Sequence, residues 1–343
     1  MQRVFVLSYT FCFYIIKFVY PVNLSALHYA PQKLPALFYI MPVLVAALAY
    51  FFYKTMQYKK ELIFGILFYL FSICLTLQII PVGYSIVSER YSYVPYIGLF
   101  FILGSIYVGI TDNKITSLKF LKPGLKYISI GVAVIFVFLS WKRLDKWKDS
   151  VTLFKDLADK YPTSYHAQFS LGKSLAEAND TTGAMIYFNR SIEIDPTVAD
   201  PYFFRGNMLY GRKDFANAIN DYKKAIAINP KYNQALYNLG VCYNNTGNFA
   251  EAEKTLTKAI TMQANEFMFQ ARANSFFYSK QYQKAVDDYT SAIKINSNMP
   301  DVYHDRGVCY LYLQQNQKAC EDWKKSLEMG YTKASEVIGT YCK

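Results

Sequence analysis

Five small residues, Gly172, Gly206, Gly240, Ala273 and Gly307, are spaced by 34, 34, 33 and 34 residues. Twelve residues after each stands an Ala: Ala184, Ala218, Ala252, Ala285 and Ala319. Four residues beyond each Ala comes a large side chain, Phe188, Tyr222, Leu256, Tyr289 or Trp323. Three residues beyond each small residue comes Leu175, Leu209, Tyr243, Phe276 or Tyr310. Pro162, Pro196 and Pro230 keep the interval of 34. Such a period constrains the chain more than its composition does, because each unit is one supersecondary element that buries its apolar face only on the next. The spacing within a unit predicts two antiparallel helices, A and B. The small residue on A and the Ala on B allow close approach, the large residues fill the space between units, and Pro or a polar residue turns the chain.

These residues match the tetratricopeptide repeat (TPR) pattern, which the chain resembles over residues 163–331 as five units. Ahead of them, Val151, Phe154 and Leu157 mark one face of a half-repeat helix in a connecting segment, 142–162, that ends at Pro162. Residues 332–343 read as a terminal helix that covers the last apolar face. The resemblance implies that extended peptides or partner helices bind on the concave face of the A helices. The matching positions are His166, Phe169 and Lys173; Phe203, Asn207 and Tyr210; Tyr237, Asn244 and Asn245; Gln270, Asn274 and Phe277; and His304 and Tyr312. Asn can bond a peptide backbone and Tyr offers a broad amphipathic surface. The set lacks a Lys/Arg clamp for a terminal carboxylate.

The first 141 residues are of another kind. They hold 11 Lys+Arg and 3 Asp+Glu, against 26 and 22 from residue 142 onward. This partition excludes a single soluble domain, a disordered chain and a small disulfide-stapled fold. Five apolar stretches, 4–20, 34–53, 62–80, 94–110 and 125–141, are the expected transmembrane helices. Lys17, in the first, lies within a turn of Pro21 and can snorkel to the interface. Lysines and arginines are in excess on one set of loops: Arg3; Lys54, Lys59 and Lys60; Lys114, Lys119, Lys122 and Lys126. By the positive-inside rule these face the cytoplasm. Five crossings then put the repeats outside it, as in a bacterial inner-membrane protein with a periplasmic array. The net charge of +12 reads as membrane orientation, not as a nucleic-acid stripe.

No chemistry-bearing motif stands in the repeats. Cys12, Cys74, Cys242, Cys309, Cys320 and Cys342 form no CxxC, and the three His are not paired at ligand spacing, so no metal or cofactor is expected. Cys242 and Cys309 sit two residues after the small A-helix position, a packing place. A disulfide involving Cys342 is open to a chain outside the cytoplasm.

One run between expected membrane helices differs. Ser88-Glu89-Arg90-Tyr91-Ser92-Tyr93-Val94-Pro95, continuing to Gly98, sets an acid beside a base at the outer mouth. With Trp141, Trp147 and the repeats behind it, this run resembles the C-terminal half of the transmembrane-and-TPR O-mannosyltransferase-like family and its bacterial relatives, in the GT-C class. That resemblance implies transfer of a sugar from a polyprenyl-phosphate carrier, with Glu89, Arg90 and Tyr91 at the lipid phosphate. The catalytic acids of that family lie in its first external loop and have no counterpart here, where the first Asp is Asp112.

The expectation is therefore an all-α chain of multi-spanning transmembrane helices (1–141) followed by a TPR α-solenoid. Its function is to bind a protein or peptide partner while anchored among membrane lipids. The alternative is the C-terminal part of a glycosyltransferase that uses a polyprenyl-phosphate sugar, without catalytic activity of its own.

Overall fold

The computed structural model describes residues 2–19, 28–29, 36–56, 60–76, 85–87 and 93–342. It divides into two compact units, Met1–Ser174 and Leu175–Lys343. The described residues are helical apart from short connections and a two-stranded antiparallel ribbon, β1 (His28–Tyr29) and β2 (Ser85–Val87).

In the first unit a helix occupies each of the five apolar stretches: α1 (Gln2–Val19), α2 (Ala36–Met56), α3 (Lys60–Thr76), α4 (Tyr93–Thr111) and α5 (Lys122–Leu144). Helices α3 and α4 approach at two glycines. A Cβ on Gly98 would lie 2.7 Å from the Gly65 carbonyl oxygen, so the contact requires small residues on both sides. Edge-to-face rings, Phe64 on Phe101 and Phe18 on Phe100, fill the flanks. Among the described residues one segment, Lys122–Trp147, is long and apolar enough to cross a membrane, and none of it is buried in the chain. Shorter apolar helices span Ser8–Val19, Ile63–Ser72 and Tyr96–Thr111. Of the five expected spans, the last thus meets that measure.

Helix α5 leads through a single 3-10 turn (Asp145–Trp147) to α6 (Ser150–Lys160), the expected half-repeat helix. Asp149 caps α6 by accepting from the Thr152 amide at 2.7 Å, and Leu157 is fully buried. Three cations, Arg143 (3.1 Å), Lys146 (3.9 Å) and Lys160 (2.5 Å), converge on Asp156 at this junction. Burial of Asp156 opposes its ionisation, but the bonds from Lys160 and Arg143 outweigh it and hold the carboxyl below its ordinary range.

The repeats follow as helix pairs: α7 (Tyr165–Glu177) and α8 (Thr181–Ile194); α9 (Ala199–Gly211) and α10 (Phe215–Ile228); α11 (Asn233–Asn245) and α12 (Phe249–Met262); α13 (Glu266–Tyr278) and α14 (Tyr282–Ile295); α15 (Pro300–Tyr312) and α16 (Asn316–Glu328). The unit boundary falls within α7. The predicted phase is the observed one. Ala184, Ala218, Ala252, Ala285 and Ala319 are all fully buried, as are Phe188, Tyr222, Leu256 and Trp323, with Tyr289 nearly so. A Cβ on Gly307 would sit 2.6 Å from the Trp323 indole nitrogen, which is why the smallest residue stands there. Each A–B turn passes through the left-handed region at one periodic place: Asn179, Lys213, Gly247, Lys280 and Gln314 have φ between 59° and 75°. Only the third of these is a Gly.

The array closes at α17 (Ala334–Tyr341). Ala334 is fully buried against Ala319 and Trp323. A disulfide joins Cys320 on α16 to Cys342, just past the end of α17.

Candidate functional site

The A-helix positions expected to face a groove do different things. In the second unit a cavity of about 630 Å³ opens before repeat 3. Helices α9, α11 and α13 contribute Tyr210; Tyr237, Val241, Asn244 and Asn245; and Phe267, Gln270, Ala271, Asn274 and Tyr278. Gly247 and Phe249 close it from the A–B turn and the start of α12. A second cavity, about 310 Å³, lies beside it and shares Tyr210, Tyr237 and Val241 while adding Asn207 and Asn238. Of the residues expected in the groove, Asn207, Tyr210, Tyr237, Asn244, Asn245, Gln270 and Asn274 thus line these two cavities.

Several of the amides already have structural work. The buried hydroxyls of Tyr222 and Tyr289 donate to Asn207 Oδ1 (2.8 Å) and Asn274 Oδ1 (2.6 Å). Burial pushes both phenols up, so they stay protonated and donate. Asn238 also donates to Asn207 Oδ1, at 2.8 Å. Asn244 reaches across to the next A helix, donating to the Ala271 carbonyl (2.8 Å) and accepting from the Ser275 hydroxyl (2.7 Å). Gln270 donates to Asp301 at 2.7 Å. The groove floor is an amide ladder that ties successive repeats together.

Two expected groove residues are elsewhere. Phe203 is buried in the core, its ring 4.8 Å from that of Tyr232, because a phenyl at that position gains more from the seam between repeats than from the open face. His304 turns toward Asp305 (3.2 Å) and the Tyr331 ring (5.2 Å) and lines neither cavity. Phe277 and Tyr312 join Tyr282 in an aromatic cluster, with Tyr312 and Tyr282 stacked 4.6 Å apart. Phe169 and Lys173 lie on α7, half-buried and exposed respectively. Glu89, Arg90 and Tyr91 lie outside the described residues.

The cavity aromatics Phe249, Phe267 and Tyr278 were not anticipated. Tyr278 stacks on Phe249 at 5.3 Å and 15°. It occupies the same register as Asn245 and Tyr312, and that was the signal available. Also unanticipated is a ladder of bidentate ion pairs: Arg205–Asp221, Arg272–Asp288 and Arg306–Asp322, each sixteen residues apart with nitrogen–oxygen distances of 2.6–2.8 Å. Each Arg also donates backwards to the preceding B helix, to Asn189 (2.7 Å), Thr257 (3.0 Å) and Thr290 (3.0 Å). The bonds to Asp221 raise the Arg205 pKa, and for Arg306 those to Asp322 outweigh the opposing effect of burial. Cys242 and Cys309 are fully buried, and burial pushes each thiol up to about 12, so both are unreactive packing residues. Among the described residues no group of three or more His, Cys, Asp or Glu is placed to hold a metal ion.

Comparison with known sequences agrees with this geometry. Residues 142–199 and 209–272 match family models described as Tetratricopeptide repeat. Human Tetratricopeptide repeat protein 6 is 29% identical over 155 residues, 44% of this chain and 30% of that protein. The wheat Hsp70-Hsp90 organizing protein is 30% identical over 105 residues, 30% of this chain and 18% of that protein. The chain therefore spans less than a third of the length of these relatives. Among solved structures, YrrB, described as a TPR protein with an unusual peptide-binding site, superposes with a TM-score of 0.50 at 16% identity, covering 54% of this chain and 97% of that one. The helix pairs, their phase and these matches establish that the chain carries an array of tetratricopeptide repeats.

Proposed function

We propose that the chain is a membrane-anchored TPR protein whose solenoid holds a segment of a protein or peptide partner in the groove before repeat 3. The cavity of about 630 Å³, lined by three successive A helices, carries this reading. The peptide-binding site for which YrrB is described, and the wheat relative's name as an organizing protein of Hsp70 and Hsp90, support the same class of ligand. Anchoring is supported by the unburied apolar helix Lys122–Trp147 and by exposed Trp141 and Trp147 with Lys142 and Arg143 at its end, the residues that suit a membrane–water interface. The disulfide Cys320–Cys342 supports an oxidising compartment for the array, the bacterial periplasm in the orientation argued from the loops.

A photo-crosslinking residue in place of Tyr237 tests the groove. It should yield adducts to one defined partner segment in intact cells, whereas the same residue in place of exposed Lys284 should not. Equal adducts from both positions would refute the groove. The anchor is tested by alkaline extraction of membranes and by reporter accessibility of the C-terminus. Release into the aqueous fraction, or labelling by cytosolic probes only, would overturn it.

A second reading, a part in lipid-linked sugar transfer, is motivated by the Glu89-Arg90-Tyr91 run and places a polyprenyl-phosphate sugar at Arg90. Arg90→Ala should then impair use of the lipid-linked donor in a complete assembly. Unchanged transfer would dispose of this role.

A further inference from the structure

We infer that the cavity before repeat 3 selects an uncharged, internal stretch of polypeptide, with an aromatic or aliphatic side chain seated against Phe267 and Tyr278. This inference rests on the groove reading above and specifies its ligand. The half of the chain from residue 142 onward carries 26 basic and 22 acidic residues. Yet none of the residues lining the two cavities is Lys, Arg, Asp, Glu or His. A ligand charge desolvated there would meet no counter-charge in the lining, since Asp301 behind it is engaged by Gln270 at 2.7 Å, and an unpaired charge out of water is strongly disfavoured. This also disfavours a chain terminus, which carries a charge of its own.

The remaining hydrogen-bonding capacity suits a peptide group. Asn274 uses its Oδ1 to accept from Tyr289, and its Nδ2 has no partner among the described residues. Asn245 uses its Nδ2 toward Tyr210 and the Val241 carbonyl, and its Oδ1 has no partner among the described residues. One free donor and one free acceptor in the same cavity match the carbonyl and amide of an extended backbone. Beside them, Phe267 is 51% exposed and Tyr278 is 61% exposed. Rings left open within a polar cavity are a surface that an apolar ligand side chain covers favourably.

The test uses the full chain in detergent micelles against a random linear peptide library displayed with both ends embedded in carrier sequence. Enriched peptides should be uncharged at their centre and carry an aromatic or aliphatic residue there. Placing Glu or Lys at that centre should weaken binding by about tenfold or more, equivalent to about 1.4 kcal/mol. Phe267→Ala should weaken the best peptide similarly without changing the melting temperature of the array. Asn274→Asp keeps the acceptor for Tyr289 but introduces a carboxylate, and it should shift enrichment toward a central Lys. Peptides that carry a central charge, or that need a free carboxyl end when resynthesised, and that lose binding in Phe267→Ala would overturn the inference while leaving the groove in place. Peptides that bind wild type, Phe267→Ala and Val241→Arg alike would overturn the groove itself. So would a neutral oligosaccharide array that binds the chain when no peptide is enriched.

Discussion

Repeat 3 and its neighbours solve the same packing problem differently. Repeats 2, 4 and 5 each carry an Arg before the small residue of helix A and an Asp sixteen residues on, and the pair closes as a bidentate clamp that also reaches the preceding repeat. Repeat 3 has Leu239 and Thr255 at those places. Leu239 is buried in the core. The seam between repeats 2 and 3 is held instead by Lys223 over the Tyr243 ring at 5.6 Å, Asn238 to Asn207, and Tyr232 to Asp200 at 2.9 Å. Both cavities lie against that repeat. Charge pairs thus close repeats 2, 4 and 5, whereas repeat 3 closes on a buried Leu, and repeat 1, with Leu171 and Tyr187 at the same places, lacks the pair as well. Arg272 adjoins the lining residue Ala271 yet lines neither cavity, its guanidinium being held by Asp288 and Thr257.

The largest effect that can break this comparison is the loss of one clamp partner. Asp288→Ala leaves Arg272 in a site where its side chain is 17% exposed, and should cost about 3–5 kcal/mol in denaturant unfolding. The double change Arg272→Leu with Asp288→Thr copies repeat 3 and should return most of that loss. If the double variant is as unstable as the single one, repeat 3 is not an equivalent solution. Next in size, Ala218→Leu should overpack the pair in repeat 2 and cost about 1–3 kcal/mol. An unchanged melting curve would contradict the phase assigned to every repeat.

A pH series compares repeats 3 and 5 through Cys242 and Cys309. Folded, these thiols titrate only at about 12; unfolded, they ionise near about 8.5. The unfolded state therefore binds fewer protons above that pH. Stability is fully present below about 8.5 and should fall above it, by about 1.4 kcal/mol per pH unit for each thiol. Cys242→Ala should remove one thiol's share of the slope, and an unaltered slope would refute the assignment. The smallest expected effect concerns the A–B turn. Lys280→Gly, at φ +60, should raise stability by about 1 kcal/mol, and Gly247→Lys should lower it by a similar amount. If Gly247→Lys is silent, the turn of repeat 3 relaxes in a way that its neighbours do not.

Much of the array was legible because its determinants are periodic. Gly172 to Gly307 and Ala184 to Ala319 fix the contact faces, and the large residues four places on declare what fills them. The clamps recur in only three of the five repeats and went unread, since an Arg or Asp on a helix ordinarily reads as solvated surface, and only a fold that brings residues sixteen apart together reveals the pair. Half of the groove was legible for a related reason. Asn207 and Asn274, each one place after the small residue, line the cavities, as do Tyr237 and Gln270, each three places before it. Phe203 and His304 share that second register yet do not, because local partners draw their rings away, Tyr232 for the one and Asp305 and Tyr331 for the other. Phe249 escaped notice because it belongs to a B helix and enters the cavity only through its stack with Tyr278. In the first unit, hydropathy located five helices, and it set out the apolar faces more plainly than the contacts among them. The approach of Gly65 to Gly98 has no periodic partner that could have announced it.

The sealed end of the array bears on how such a chain can change length. Trp323 occupies the last inter-repeat space, α17 lies over it, and a covalent bond from Cys320 to Cys342 holds the cover in place. A unit docking on the face of Trp323 would first have to lift α17, which the bond between Cys320 and Cys342 opposes. An interior register is different: a copied 34-residue block inherits matching surfaces on both sides, so a duplication there lengthens the solenoid without disturbing the covered face.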